Sequence, residues 1–355
     1  MRNYPPIIMK CGLKSRNLPA PIAIGVNLLG LLSTGYGQFK QIKTPFYTGL
    51  IIVLFAMLSA QNAAGQCCSA GNPVGGDGSN DGLNEKALRF YVSYKYSLSE
   101  DYYHYDAKYD VPYVQKSDFD YGSISLTYGL LPRLTVHVEQ GYFWSKAQEL
   151  TINNQYEKIQ SKGFGDLALN LRYIAVKTVK PISQLVFSAG FKAPVGAFNE
   201  EIDGVTVPIS LQPSSGAFKY NASAFYFRKR SDRKSGWNTF ALFELSQTIN
   251  KGYLVYRYGN YFQYALAGTY AFNKKFSVIA SAKFEWRGKD EREDEIVIES
   301  SGSRVVYFNP QIMYSFSPKW SLILMSDLPV YKYVNGFQLT NKFSVQVGIR
   351  KDVKL

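Results

Sequence analysis

The sequence predicts an all-β protein, a transmembrane antiparallel up-and-down β-barrel of about 12 strands, and three observations carry that prediction. From Leu88 to the C-terminus, apolar and polar residues alternate with a period of two. The segments that join the alternating runs are by turns short and long, the pattern of periplasmic turns and external loops. No apolar run reaches the roughly 20 residues that a membrane helix needs. A mean hydropathy of −0.17 is compatible with strands that keep one polar face.

The length of 355 residues allows two domains, and 46% hydrophobic with 19% charged residues excludes a disordered chain. Twenty-eight Tyr and 23 Phe stand against 3 Cys and 2 His, so the chain is rich in amphipathic rings and poor in metal ligands. No metal and no cofactor is expected.

Residues 1–65 read as a targeting segment with a signal peptide. Its apolar run, about residues 49–58 (GLIIVLFAML), follows Lys40 and Lys43 and is too short to span a bilayer. Ala63-Ala64-Gly65 supplies the small residues of a cleavage site before Gln66. Gln66 also stands where lipidation of Cys67 would require a small residue. Cys67 and Cys68 are adjacent, and a bridge between neighbours is strained. Six of the 40 basic residues and none of the 27 acidic ones lie in residues 1–65, so cleavage lowers the net charge from +13 to +7. Nucleic acid is therefore not an expected partner. Residues 66–87, rich in Gly, Asn, Asp and Ser, read as a flexible leader or a plug for the lumen, and residues 88–355 as the barrel.

The strands follow in order. Leu88, Phe90, Val92, Tyr94, Tyr96 and Leu98 alternate with Arg89, Tyr91, Ser93, Lys95 and Ser97. The apolar rows of the next three strands are Ile124 to Leu130, Leu134 to Trp144, and Leu167 to Tyr173. Leu185 to Phe191 and Phe218 to Tyr226 give the fifth and sixth; a less regular seventh lies near Trp237 to Gln247. Phe262 to Phe272, Phe276 to Trp286, Val306 to Phe316, Trp320 to Leu324 and Phe343 to Ile349 complete the set. Short connections lie at Leu131-Pro132-Arg133, Lys177 to Pro181, Lys229 to Lys234, Asn273-Lys274-Lys275 and Ser317-Pro318-Lys319. Long ones are expected at Ser99 to Ser117, Ser145 to Lys162, Pro194 to Gly216 and Gly288 to Ser303. Rows ending in Tyr96, Tyr128, Trp144, Trp286 and Trp320 match aromatic girdles, which places the chain in a bacterial outer membrane, among its lipids and lipopolysaccharide.

Gly163-Phe164-Gly165-Asp166 and Gly190-Phe191-Lys192-Ala193-Pro194-Val195-Gly196 resemble the motifs Gly-x-Gly-Asp and Gly-x-Lys-x-Pro-Thr-Gly of the outer-membrane family named for the MetA pathway of phenol degradation. Val195 replaces the usual Thr, and Leu211 to Gly216 is similar to a degraded form of the Gly/Ser-rich run that follows. The resemblance implies a barrel that passes hydrophobic or aromatic small molecules. It marks Gly163, Gly165, Asp166, Lys192, Pro194 and Gly196 as family-motif residues.

With the apolar rows toward lipid, the inward residues are the candidates for lining a pathway: His137, Glu139, Asp166, Asn170, Arg172, Lys192, Glu244, Lys283, Glu285 and Arg287. The bland reading is that these groups satisfy one another across a narrow interior. Tyr102, Tyr103, Tyr105, Tyr109 and Tyr113 place phenol rings at the outer mouth, where they either hold ligands or form an interface rim. Asp290, Glu291, Glu293, Asp294 and Glu295, interleaved with Lys289 and Arg292, either recruit divalent cations or form only a solvated charged loop, the reading that is usual for such a run. A hydrolase barrel would need His, Ser and an orienting group together, and neither His104 nor His137 has such neighbours in sequence, so no catalytic residue is assigned. The expected function is a channel or passive transporter for small hydrophobic or aromatic solutes. The alternatives are a structural or surface-interaction barrel and, less favoured, a lipid hydrolase.

Overall fold

The computed structural model describes residues 80–354 apart from 110–113, 153–154, 203–204, 233, 252–253 and 294. The targeting segment, residues 66–79 of the leader, Tyr113 and Asp294 lie outside the described residues. Eleven strand elements form the barrel wall: β1 (Ala87–Tyr105), β2 (Val114–Leu131), β3 (Leu134–Ile152), β4 (Leu167–Val179), β5 (Ile182–Ala193), β6 (Lys219–Lys229), β7 (Ser235–Ser246), β8 (Tyr261–Ala271), β9 (Phe276–Arg287), β10 (Ser303–Ser315) and β11 (Trp320–Lys354). Each pairs antiparallel with the next, and β11 pairs back on β1, so the sheet has no free edge.

A ring in which every neighbour is antiparallel must be crossed an even number of times. The 35-residue β11 therefore reverses within itself. Its first limb pairs with β10 from Ser321 to Val334, its second pairs with β1 from Phe337 to Lys354, and Gly336 between them has φ +59°. The wall is thus crossed 12 times, as the period-two runs predict. Residues 325–342, unassigned in the sequence reading, complete this hairpin.

Period two sorts the faces in the inverted sense that hydrocarbon demands. On β1, Phe90, Val92 and Tyr94 are exposed by about half, whereas Arg89, Ser93 and Ser97 are buried. The same inversion runs round the barrel: Leu171, Phe187, Tyr220, Leu266 and Ile312 are outside, and His137, Arg172, Gln263 and Gln346 inside. Closure pairs the backbone amides that lipid would leave unsatisfied.

The five short connections fall at one end, where β1 begins and β11 ends; short turns face the periplasm in outer-membrane barrels, and that end is called periplasmic below. At the other end, two of the expected long loops are mostly strand. β1 runs to Tyr105 and pairs with Ala107–Tyr109, and β3 runs to Ile152 and pairs with Gln155–Phe164. The strands continue beyond the membrane because their pairing satisfies the backbone as well in water as in lipid. The remaining outer segments share a small apolar core of Ala217, Ile249 and Tyr256, with Phe198, Ile209, Leu254 and Ile298 packed on it.

Residues 80–84 enter the periplasmic end. Gly82 exchanges two hydrogen bonds with the Gln184 side chain, donating at 3.1 Å and accepting at 3.0 Å. The Leu83 N–H donates to Thr135 Oγ1 at 3.0 Å, and Arg89 Nη1 pairs with Asp81 at 2.7 Å. Asn80 lines the lumen beyond them.

Candidate functional site

Among the described residues the lumen holds a cavity of about 230 Å³ and, beside it, a smaller one of about 170 Å³. The larger is lined by His137, Glu139, Asp166, Asn170, Arg172, Lys192, Glu244 and Arg287, eight of the ten inward residues expected from the alternation. Lys283 lines the smaller, and Glu285 is joined to it at 3.0 Å.

Near the periplasmic end, β3 sets His137 opposite Asn170, and Thr135 opposite Arg172, of β4. His137 Nδ1 lies 2.8 Å from Thr127 Oγ1, and Nε2 lies 3.7 Å from Glu139. Arg172 donates to the Asp81 carbonyl at 3.3 Å, which ties the entering segment to the wall.

Beside this group, Asp327 of β11 accepts from Lys283 at 2.9 Å, Lys95 at 3.4 Å and Asn309 Nδ2 at 2.9 Å. Lys283 Nζ also lies 4.5 Å from the centre of the Tyr307 ring. One carboxylate thus gathers groups from β1, β9 and β10. Neither Lys95 nor Asp327 was singled out from the sequence; both lie on inward positions, and only the register shows that they meet.

Toward the outer mouth, Lys192 Nζ and Glu244 are paired at 2.7 Å across β5 and β7. Arg287 stacks 4.7 Å from the Tyr261 ring. Asp166 receives the Ser214 hydroxyl at 2.7 Å, the Ser215 N–H at 2.9 Å and the Ser215 hydroxyl at 2.5 Å. Lys146 Nζ donates to the Gln212 carbonyl at 2.8 Å, so residues 209–216 are fastened from both sides. The motif residues meet at this latch. A Cβ on Gly196 would stand 1.7 Å from the Phe164 carbonyl oxygen, and Gly163, at φ +153°, leaves room for Pro213. Pro194 follows the last residue of β5.

The outer-mouth rings divide. Tyr102 is buried, Tyr103 is half-buried beneath Lys332 Nζ at 4.8 Å, and Tyr105 and Tyr109 are exposed. The turn of β11 adds partners that the sequence reading missed: His104 stacks on Phe337 at 4.4 Å, Tyr109 meets Phe337 edge-on at 5.3 Å, and Tyr105 lies 5.6 Å from Tyr333. Asp290 departs from the solvated loop expected for it. It is buried, accepts from the Tyr256 hydroxyl, and takes the Gly259 N–H at 2.8 Å. Among the described residues no group of three or more acidic, His or Cys side chains is placed to hold a metal.

A closed antiparallel barrel with a lipid-facing apolar surface and a charged, aromatic-lined interior is an outer-membrane β-barrel. The chain belongs to the family described as "Putative MetA-pathway of phenol degradation", whose model matches residues 103–347. In fold it is similar to the COG4313 outer membrane channel from Pseudomonas putida F1, at TM-score 0.62 and 17% identity over 78% of this chain and 98% of that one. It is also similar, at TM-score 0.40 and 10% identity over 77% and 90% of the two chains, to the CymD monoaromatic hydrocarbon channel. No curated protein matches it in sequence.

Proposed function

We propose that the protein is an outer-membrane channel for small hydrophobic or aromatic solutes, with the larger cavity as a station on the route. The observation that carries this reading is the lining of that cavity, where Tyr121, Phe143, Phe225, Phe240 and Tyr261 stand among a few fixed polar groups. The family description points the same way. Outer-mouth rings such as Tyr105 and Tyr109 offer a first stacking surface from the lipopolysaccharide side.

Residues 80–84 act as the periplasmic closure in this reading, since their bonds to Gln184, Thr135 and Arg172 hold them across the lumen. Planar-bilayer conductance and solute flux into liposomes test both points. The full chain is expected to conduct weakly, and a chain beginning at residue 85 several times more. Absence of flux in both forms would favour the second reading, a structural barrel, which draws on the mutual pairing of the lumen charges.

We read the protein as non-enzymatic. Among the described residues the hydroxyl beside the His137–Glu139 pair is that of Thr127, which is fully buried and not presented to the lumen as a nucleophile would be. A phospholipase assay in which His137→Ala abolishes turnover would reverse this.

A further inference from the structure

One lysine of the larger cavity is left without an ion pair or hydrogen bond among the described residues, the carboxylates of the lining acting on it only from farther off. Lys219 opens β6 directly opposite Lys192 of β5, and its side chain is 98% buried while lining the cavity. Lys192 takes Glu244 at 2.7 Å. Lys219 makes no ion pair or hydrogen bond with the described residues, and its ammonium rests 4.3 Å from the centre of the Tyr258 ring. The other three carboxylates of the cavity have other neighbours: Glu139 lies 3.7 Å from His137 Nε2, Asp166 takes Ser214 and Ser215, and Asp290 takes the Tyr256 hydroxyl and the Gly259 N–H. The lining carries five Lys and Arg against four Asp and Glu, an excess of one positive charge.

A buried ammonium without a counter-charge is costly, and an anion that reaches it offsets that cost. The rings around it favour an aromatic partner, because Tyr258 already presents its face and Tyr261 and Phe240 line the same space. A cavity on the order of 150 Å³ already admits benzene, so about 230 Å³ has room for one substituted ring.

We propose that the larger cavity binds single-ring aromatic carboxylates, with Lys219 Nζ receiving the carboxylate and the surrounding rings receiving the solute's ring. The inference rests on the channel reading for the solute's route and narrows its cargo from apolar rings to ring acids.

Calorimetric titration of the full chain, folded in detergent, with benzoate, its uncharged isostere benzamide, and acetate tests it. Benzoate is expected to bind about tenfold or more tighter than benzamide, the worth of one charge-assisted hydrogen bond, and acetate more weakly than benzoate. Lys219→Met removes the benzoate preference and leaves benzamide binding in place, whereas Lys219→Arg keeps the preference. Heat-modifiable migration on gels checks that each variant is folded; should Lys219→Met misfold, Lys219→Gln and the wild-type benzoate-to-benzamide ratio decide. Equal affinity for benzoate and benzamide, survival of the preference without Lys219, or acetate binding as tight as benzoate would overturn the proposal. Binding without flux would count against the channel reading alone.

Discussion

Lys192 and Glu244 meet at 2.7 Å inside a wall whose other face is hydrocarbon, so each is held by its partner more than by water. Removing one member leaves the other buried and unanswered. Glu244→Gln is expected to destabilise the barrel by roughly 3 kcal/mol or more, and the double replacement Lys192→Met with Glu244→Leu by clearly less, read from urea unfolding in lipid vesicles. Gly141 offers a second test, because a Cβ there would lie 1.9 Å from the Tyr121 hydroxyl oxygen, whose ring covers the glycine inside the lumen. Gly141→Val is expected to cost about 1–3 kcal/mol through forced displacement of that ring. In a Tyr121→Ala background the cost should largely vanish, which a double-mutant cycle measures. Period two was enough to read such residues as inward, as with His137, Lys192 and Glu244. It did not say which acid meets which base, since pairing across strands depends on register and on strands distant in sequence, as Lys95 and Asp327 illustrate. Lys219 escaped for a related reason. It lies between Phe218 and Tyr220, and its lack of a partner is visible only when the neighbouring wall is in place.

Three of the five short turns share one device. Asp232 accepts the N–H groups of Lys234 and Ser235 at 2.9 and 3.0 Å, Asn273 those of Lys275 and Phe276 at 2.8 and 2.9 Å, and Ser317 those of Lys319 and Trp320 at 3.3 and 3.2 Å. The Ser235 N–H and hydroxyl hold the Asp232 carboxyl below its ordinary value. A depressed folded value means that the contribution is present above the unfolded value and is lost as pH falls through the folded one. Asp232→Ala should therefore lower the unfolding midpoint at neutral pH and match the wild type in strong acid. On the opposite end, Asp166→Asn weakens the charge-assisted bonds that fasten residues 209–216. Faster cleavage of that segment by protease added outside intact cells is the expected result; unchanged cleavage would place the latch elsewhere. Turn residues such as Asn273 and Ser317 could be read from the sequence because their bonds are local. The outer segments could not, since strand pairing beyond the membrane and the core around Tyr256 arise from partners tens of residues apart.

At the scale of the molecule, the two domains that the length allowed reduce to one closed sheet in the described residues, with the leader's last residues inside its periplasmic end. The strand total followed from alternation; the contents of the lumen did not. The closing seam has a further consequence. Ala87 pairs with Lys354, so the first strand waits for the last before its outer edge is satisfied. Every other wall pairing joins strands adjacent along the chain and can zip in order of synthesis, but this one requires the ends to find each other across the whole length. Until then, β1 and the second limb of β11 are two unsatisfied edges of a sheet with one greasy face, the arrangement most prone to pair with a neighbouring molecule. On this topology the seam is expected to join last, so substitutions along it should slow folding into lipid vesicles more than equivalent ones at β6–β7.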